Sequence, residues 1–248
     1  MSNVIPFVQT PLPTRKSEPV KERRILLQGA PGTGKTTFCC GFPNLVVVDM
    51  DHKLPGGFNT FPFWDLDWCK TVEPNSRERR DKVINLLRNN ISKFTPEQTL
   101  LLDSWNSFQM YVNDAIQKDS GDDGRKFYRL KLQYSEMITD ILKSARCTII
   151  TTVHESTKGE NITQLRPLME GKFGDTMPGH YTDHYRSFIT TERGADGKVV
   201  NKYSIAIQPD NLCDCFVNPE LGPRIKKAGI RVIPNTYNDY INLYNLPA

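Results

Sequence analysis

Residues 29–36 read GAPGTGKT and match the phosphate-binding pattern G-x-x-x-x-G-K-[ST]. The glycines of this pattern let backbone N–H groups curl around phosphate oxygens without a clash from a Cβ. Lys35 would reach the β- and γ-phosphates, and the Thr36 hydroxyl would ligate Mg²⁺. The motif predicts a nucleoside triphosphate site with Mg²⁺, formed by Gly29, Ala30, Pro31, Gly32, Thr33, Gly34, Lys35, Thr36 and Thr37.

The residues around this loop predict the elements that must hold it. Ile25, Leu26 and Leu27 form an apolar run typical of a buried strand, and residues 37–40 begin a helix. The N-terminus of that helix would add the positive end of its dipole to the phosphate site. A glycine-rich surface loop is the alternative, but a chance match seldom supplies the strand and the helix as well.

Asp103 ends a second apolar run, residues 99–102, and is followed by Ser104. In phosphate-loop folds, a carboxylate at the end of such a strand holds Mg²⁺ through water. We therefore expect Thr36 and Asp103 to form the Mg²⁺ site. The alternative is that Asp103 or Ser104 only caps the following helix.

Three further side chains follow predicted strands and are candidates for catalysis. Asp49 and Asp51 come at the end of the run LVVVD, where a carboxylate could polarise the water that attacks the γ-phosphate. Asp49 is the first choice and Asp51 the second, and the alternative for each is an aspartate in a turn. His154 follows the run 147–153 and could report the loss of the γ-phosphate, unless it is only a solvated loop histidine.

The order of the patterns predicts an α/β fold with a mostly parallel twisted sheet flanked by helices. Apolar runs at 45–49, 99–103 and 147–153 alternate with amphipathic helices at 77–94, 105–115 and 126–145. Residues 185–191 and 199–207 then predict an antiparallel hairpin. We expect residues 1–21 to form an extended tail. Residues 22–248 should form the main domain, with a C-terminal β extension at about 182–248.

Composition narrows the class of protein without identifying it. Net charge is +4, and no apolar run is long enough for a membrane span, so we expect a cytoplasmic protein without a membrane partner. Six cysteines without a CxxC pair favour reduced cytosolic usage. Weaker metal candidates are the pair Cys213 and Cys215 and a zinc site at His180 and His184, which would require a helix.

The motifs GAPGTGKT, LVVVDMD, TLLLDSW and CTIITTVHE, with the helix KFYRLKLQYSEMITDIL, resemble the RecA-like ATPases over about residues 22–210. More closely, they resemble the phage-encoded ATP-binding family of single-strand annealing and recombination. The resemblance implies a RecA-like P-loop fold and ATP-dependent assembly on single-stranded DNA. It also implies ATP between neighbouring subunits, whose basic residues touch the γ-phosphate, here Lys226 and Lys227. Asp49 and Asp51 depart from the RecA pattern, in which glutamate usually activates the water.

The RecA-like resemblance places DNA-binding loops after the third and fourth strands. Lys158, Arg166 and Lys172 are the expected phosphate contacts there, and solvated loop charges are the alternative. The leading hypothesis is a Mg²⁺-dependent, DNA-stimulated ATP hydrolase of phage-type recombination or replication. It would act in the host cytoplasm as a homo-oligomer, beside a single-strand-binding or replication protein. The alternatives are a nucleotide or small-molecule kinase and an ATP-gated protein-assembly factor.

Overall fold

The computed structural model describes residues 23–51, 81, 84–85, 87–157, 164–169, 173–193 and 197–247. The predicted tail, residues 1–21, lies outside them. Their strands, in chain order β1 to β9, are Arg24–Gln28, Leu45–Asp49, Thr99–Asp103, Thr148–Val153, Glu155–Thr157, Leu165–Pro167, Asp183–Arg193, Val199–Ala206 and Val232–Pro234. The α-helices whose two ends both lie within these residues, α1 to α6, are Lys35–Cys39, Trp105–Ser120, Gly124–Lys143, Phe173–Thr176, Gly222–Ala228 and Tyr237–Asn242.

Seven of these strands form one sheet in the order β2-β3-β4-β1-β7-β8-β9. The first five strands in that order are parallel, and β8 and β9 continue the sheet antiparallel. This mixed sheet with flanking helices confirms the predicted fold class. The pair β7 and β8 also confirms the predicted hairpin. A separate two-stranded antiparallel sheet is formed by β5 and β6.

The central strands are short apolar runs because helices cover both faces of the sheet. On one face Leu26, Leu100 and Ile149 pack with residues of α2 and α3. On the other face Leu27, Leu101 and Ile150 pack with residues of α1, α5 and α6. Alternate residues of each strand therefore enter different cores, as the two-residue period of a strand requires.

Parallel strands bring their carboxyl ends to one edge of the sheet, here called the carboxyl edge. Asp49 pairs in register with Asp103 across β2 and β3. Gln28, the last residue of β1, pairs with Val153 of β4 and with Arg186 of β7. In parallel α/β sheets, ligands bind outside this edge.

The C-terminal region adds two short helices to the predicted antiparallel strands. It contains α5 and α6 as well as strands, and their residues Ile225 and Tyr240 are buried in the core beside α1. Helices of seven and six residues present fewer than two full turns, which is too short for a clear periodic pattern in the sequence. In the described part of the chain, no helix is both long and apolar enough to cross a membrane.

Candidate triphosphate site

The loop between β1 and α1 folds back on its own lysine. Lys35 Nζ donates hydrogen bonds to Gly29 O at 2.8 Å and to Ala30 O at 2.9 Å. Gly32 and Gly34 have φ of +79° and +85°, a left-handed conformation that costs other residues about 1–2 kcal/mol. The carbonyls of Gly29 and Ala30 therefore hold the ammonium group inside the loop, where triphosphate oxygens would bind.

The neighbouring strand β7 supports the loop from outside. Ser187 Oγ on β7 donates to Thr33 O at 2.7 Å, and Thr33 Oγ1 donates to Ala30 O at 2.9 Å. A Cβ on Gly29 would overlap the backbone oxygen of Ser187. The first glycine of the motif is thus required by close packing against β7.

The Thr36 hydroxyl and the Asp103 carboxylate lie together at the carboxyl edge. Thr36 Oγ1 donates to Asp103 Oδ2 at 2.8 Å, although the two residues are 67 positions apart. Thr152 Oγ1, on the neighbouring strand β4, donates to Asp103 Oδ1 at 2.5 Å. Burial raises the pKa of the Asp103 carboxyl, and the hydrogen bonds from Thr152 and Thr36 oppose that rise.

Lys35 is buried within the same set of charges. Burial lowers the pKa of its ammonium group, and the nearby carboxylates of Asp103, Glu155 and Asp51 oppose this effect. Asp51 Oδ1 accepts hydrogen bonds from Ser104 Oγ at 3.0 Å and from Ser107 Oγ. Three carboxylates, which follow β2, end β3 and follow β4, thus act on the charge of one lysine.

These residues fit both a triphosphate and Mg²⁺. Gly29, Gly32 and Gly34 have no Cβ to obstruct the approach of phosphate oxygens to the backbone, and a lysine ammonium is available for those oxygens. Mg²⁺ prefers carboxylate and hydroxyl oxygens and is usually held by one or two protein ligands, with waters and phosphates completing the shell. Thr36 and Asp103 provide such a pair of oxygen ligands.

Comparison with known proteins agrees with this geometry. A family model described as "AAA domain" matches residues 21–210. The chain belongs to the AAA domain family. It is therefore an AAA-type P-loop ATPase domain, as the class of motif predicts. No curated protein matches its sequence.

Two solved structures are similar to this AAA domain at low identity. The RadB recombinase is 13% identical, with a TM-score of 0.40, over 77% of this chain and 85% of that one. An ATPase from the type III secretion system of pathogenic bacteria is 16% identical, with a TM-score of 0.42, over 68% of this chain. The match covers 52% of that second protein.

Asp49 and Asp51, the two candidates for the catalytic base, differ in their surroundings. Asp49 is partly exposed at the end of β2, beside Asp103, whereas Asp51 accepts two hydroxyl hydrogen bonds. Both carboxylates raise the pKa of Asp103, as secondary causes after burial. The structure of the AAA domain brings both aspartates to the predicted site.

His154 lies where β4 ends, and its backbone is tied to α2. Its N–H donates to Asn106 Oδ1 at 2.7 Å, and its carbonyl accepts from Leu168 N at 2.7 Å. Asn106 Nδ2 also donates to Leu168 O at 2.6 Å. Asn106 therefore closes the base of the β5–β6 hairpin, three residues after Asp103, and nothing in the sequence pattern had identified it.

Glu155 and Arg186 form an ion pair that sequence reasoning also missed. Arg186 Nε lies 2.9 Å from Glu155 Oε2, and both side chains are about nine-tenths buried, at 12% and 10% exposure. Burial lowers the pKa of Arg186, but the hydrogen bond and charge of Glu155 outweigh it, and the pKa is raised. The pair links the first residue of β5 to β7 beside the phosphate loop.

The predicted basic contacts are only partly within the described residues. Lys158 and Lys172 lie outside them. Arg166 lies on β6 and forms an ion pair with Asp175 at 3.0 Å. Lys226 and Lys227 are exposed on α5, which packs on the core through Ile225, and their role at a neighbouring subunit stays a prediction.

The structure of this AAA domain shows where the histidines and cysteines of the weaker metal candidates lie. His184 lies on β7 and His180 in a 3-10 helix, so the helical spacing required for zinc does not form. Burial lowers the pKa of His184 to about 4, and its Nε2 lies 2.9 Å from Gln28 Oε1. Cys213 and Cys215 are buried with their sulfurs 3.4 Å apart. Among the described residues, no group of three or more metal-ligating side chains is found.

Proposed function

We propose that this protein is a Mg²⁺-dependent ATPase of the RecA-like kind that binds single-stranded DNA in phage-type recombination or replication. The observation that carries the ATPase half is the contact between Thr36 Oγ1 and Asp103 Oδ2 beside the buried Lys35. Lys35 and Thr36 come from the first turn of α1, and Asp103 comes from the end of β3. They provide the donors and ligands that phosphoryl transfer to water requires.

Each of the three side chains has a distinct role in binding. Lys35 donates its N–H groups to β- and γ-phosphate oxygens in place of the carbonyls of Gly29 and Ala30. Thr36 and Asp103 would hold Mg²⁺, which would neutralise charge on the phosphates when bound. Thr152 orients the Asp103 carboxylate and favours its ionised form through its hydrogen bond.

Asp49 accepts the proton of the attacking water in this proposal. It stands beside Asp103 at the carboxyl edge and is partly exposed, so a water molecule can reach it. Asp51 is a positioning residue, because Ser104 and Ser107 use one of its oxygens. His154 reports the loss of the γ-phosphate to the hairpin through its place between β4 and β5.

Single-stranded DNA is the proposed partner because three basic residues lie in the segment that follows β4. Arg166 lies on the β5–β6 hairpin, and Lys158 and Lys172 flank it in the sequence. These side chains would neutralise backbone phosphates, which is a salt-dependent interaction. Lys226 and Lys227 would meet the ATP of the next subunit in a homo-oligomer. The assembly would act in the cytoplasm, with a single-strand-binding or replication protein.

The test of this proposal is ATP turnover with and without single-stranded DNA. We expect turnover to require Mg²⁺ and to rise with single strands. Equal rates with and without saturating single strands would refute the DNA half and leave the ATPase half intact. Phosphoryl transfer to a nucleoside monophosphate would instead identify a kinase.

A matched pair of variants tests the DNA contact. Arg166 and Lys118 both belong to ion pairs, with Asp175 and Asp114 respectively, and their side chains are 33% and 47% exposed. Arg166→Gln should weaken single-strand binding and reduce the salt slope of log K by about one, since one phosphate contact is lost. Lys118→Gln, on α2, should leave both unchanged. An equal loss in both variants would mean that only overall charge matters.

A further inference from the structure

Two residues from the C-terminal half of the chain contact the phosphate loop at Gly34. Asn235 Nδ2 donates to Gly34 O at 3.0 Å, and Asn235 N donates to Tyr203 O at 3.2 Å. A Cβ on Gly34 would overlap Asn235 Nδ2 and lie 3.1 Å from Tyr203 Cδ1. Tyr203 and Asn235 therefore form a continuous surface beside the residue that precedes Lys35.

Tyr203 is an aromatic side chain with an exposed surface at this position. It is 42% exposed on β8, opposite Ile189 of β7. Other rings near the loop, such as Phe38, are buried in the core. An exposed ring in contact with a phosphate loop is a platform on which a nucleic-acid base can stack, because every base has a π-face.

Asn235 adds hydrogen-bonding groups of a defined kind. Its Oδ1 is buried and has no hydrogen-bond partner within the described part of the chain. Its Nδ2 uses one of two hydrogens on Gly34 O, which leaves one donor. A buried acceptor without a donor is costly, and a donor supplied by a ligand removes that cost.

An acceptor beside a donor matches adenine rather than guanine. Adenine presents the N6 amino group as a donor next to N7 as an acceptor, and an asparagine amide pairs with both. Guanine presents O6 and N7, which are both acceptors, so O6 would face Asn235 Oδ1. The same amide therefore favours one purine and opposes the other.

We propose that Tyr203 and Asn235 bind the base of the nucleoside triphosphate and select adenine, with Tyr203 stacking on the ring and Asn235 contacting its N6 and N7 edge. This inference rests on the proposed function, because the phosphates must occupy the loop for the base to reach this pair. It assigns base selection to residues that follow the motif by about 170–200 positions in the chain.

The test compares three ligands, each with Mg²⁺: ATP, GTP and inorganic tripolyphosphate, which has no base. Calorimetry on the full chain gives a dissociation constant for each ligand. We expect wild type to prefer ATP over GTP by about tenfold, the size of one bidentate base contact. Tyr203→Leu should weaken ATP about tenfold and leave tripolyphosphate unchanged, and Tyr203→Phe should retain ATP affinity because the ring remains.

Asn235→Ala should bring the ATP to GTP preference close to one. This variant also removes the hydrogen bond to Gly34 O, which would weaken the binding of all three ligands. The ratio of the ATP and GTP dissociation constants cancels a loss of affinity that is common to both. Val200→Ala, at an exposed position on the same strand as Tyr203, should change nothing.

The outcomes separate this inference from the proposed function. Binding of all three ligands with equal affinity for ATP and GTP would overturn base selection by this pair and leave the ATPase proposal standing. The same conclusion follows if Tyr203→Leu weakens tripolyphosphate as much as ATP. If wild type binds none of the three, the triphosphate site itself is refuted, and the base site with it.

Discussion

Replacing Thr152 with valine tests whether the Asp103 carboxylate is ionised and held by hydrogen bonds. Thr152 is fully buried and donates to Asp103 Oδ1 at 2.5 Å, and valine keeps its volume without the hydroxyl. Removing one donor from a buried charged acceptor costs about 1–3 kcal/mol. For a chain of this size, a loss of ~2 kcal/mol lowers Tm by roughly 4–8 °C. We expect that decrease at neutral pH.

The loss of stability in Thr152→Val should become smaller in acid, and the sign of this pH dependence follows from linkage. Burial raises the pKa of Asp103, and the Thr152 hydrogen bond opposes the rise, so removing it raises the pKa further. Because the hydrogen bond favours the ionised form, its contribution is fully present above the folded-state pKa of the variant. That contribution is lost as the pH falls from this pKa through the lower pKa of wild type. The charges of Asp49 and Asp51 also raise the pKa of Asp103. They therefore shift the pH range in which the contribution is lost and do not change the sign of the effect.

Thermal melts from about pH 8 to about pH 4 measure this effect. Thr151→Val is the matched control, since Thr151 is equally buried on β4 but accepts its hydrogen bond from Tyr181 at 2.9 Å. Its loss should not vary with pH in this range, because burial raises the pKa of Tyr181 above its ordinary value. A difference in Tm between wild type and Thr152→Val that stays constant across this pH range would refute the reasoning. So would a Thr151→Val variant whose Tm loss depends on pH in the same way.

Three other changes test the loop and the catalytic base. Lys35→Ala should abolish the stabilisation by ATP, which at a hundredfold over the dissociation constant is ~2.7 kcal/mol for wild type in a melting assay; a shift that persists in the variant would exclude Lys35 as a phosphate ligand. Asp49→Asn should keep ATP affinity and lower turnover by about a hundredfold or more, whereas Asp51→Asn should lower turnover less. If a steady-state assay shows the larger decrease in Asp51→Asn, the two roles are exchanged. Gly34→Ala should weaken ATP binding through overlap with Asn235, whereas Gly121→Ala, also at positive φ but in open space, should cost about 1–2 kcal/mol of stability alone. Equal ATP affinity in the two glycine variants would argue against the overlap.

The sequence predicted the parts of the site whose signal is local. The strand before the loop, the glycines and the lysine lie within twelve residues, and their order in the sequence predicts the strand–loop–helix structure. Asp103 was predictable because a buried strand that ends in aspartate is recognisable by itself. The parallel sheet then brings Asp103 beside Thr36, since carboxyl ends of parallel strands meet at one edge.

The rest of the site depends on pairings that no local pattern records. Glu155 and Arg186 are 31 residues apart, and Asn235 is 201 residues from Gly34. Arginine, glutamate and asparagine are common on protein surfaces, so their residue types gave no sign of a buried or loop-bound role. The helices α5 and α6 were missed for the same reason, because tertiary packing and not periodicity decides such short elements.

The phosphate-loop motif alone does not determine the conformation of the loop in this protein. Its glycines permit left-handed backbone, but flexible glycines also raise the entropy lost on ordering. Here Ser187 bonds to Thr33 and Asn235 bonds to Gly34, so two separate segments restrain the loop from outside. Each restraint reduces the ordering that a triphosphate must impose when it binds, and preorganisation of this kind raises affinity without adding a contact to the ligand. Variants of Ser187 or Asn235 should therefore weaken tripolyphosphate as well as ATP, whereas a change at Tyr203 should affect only ligands that carry a base.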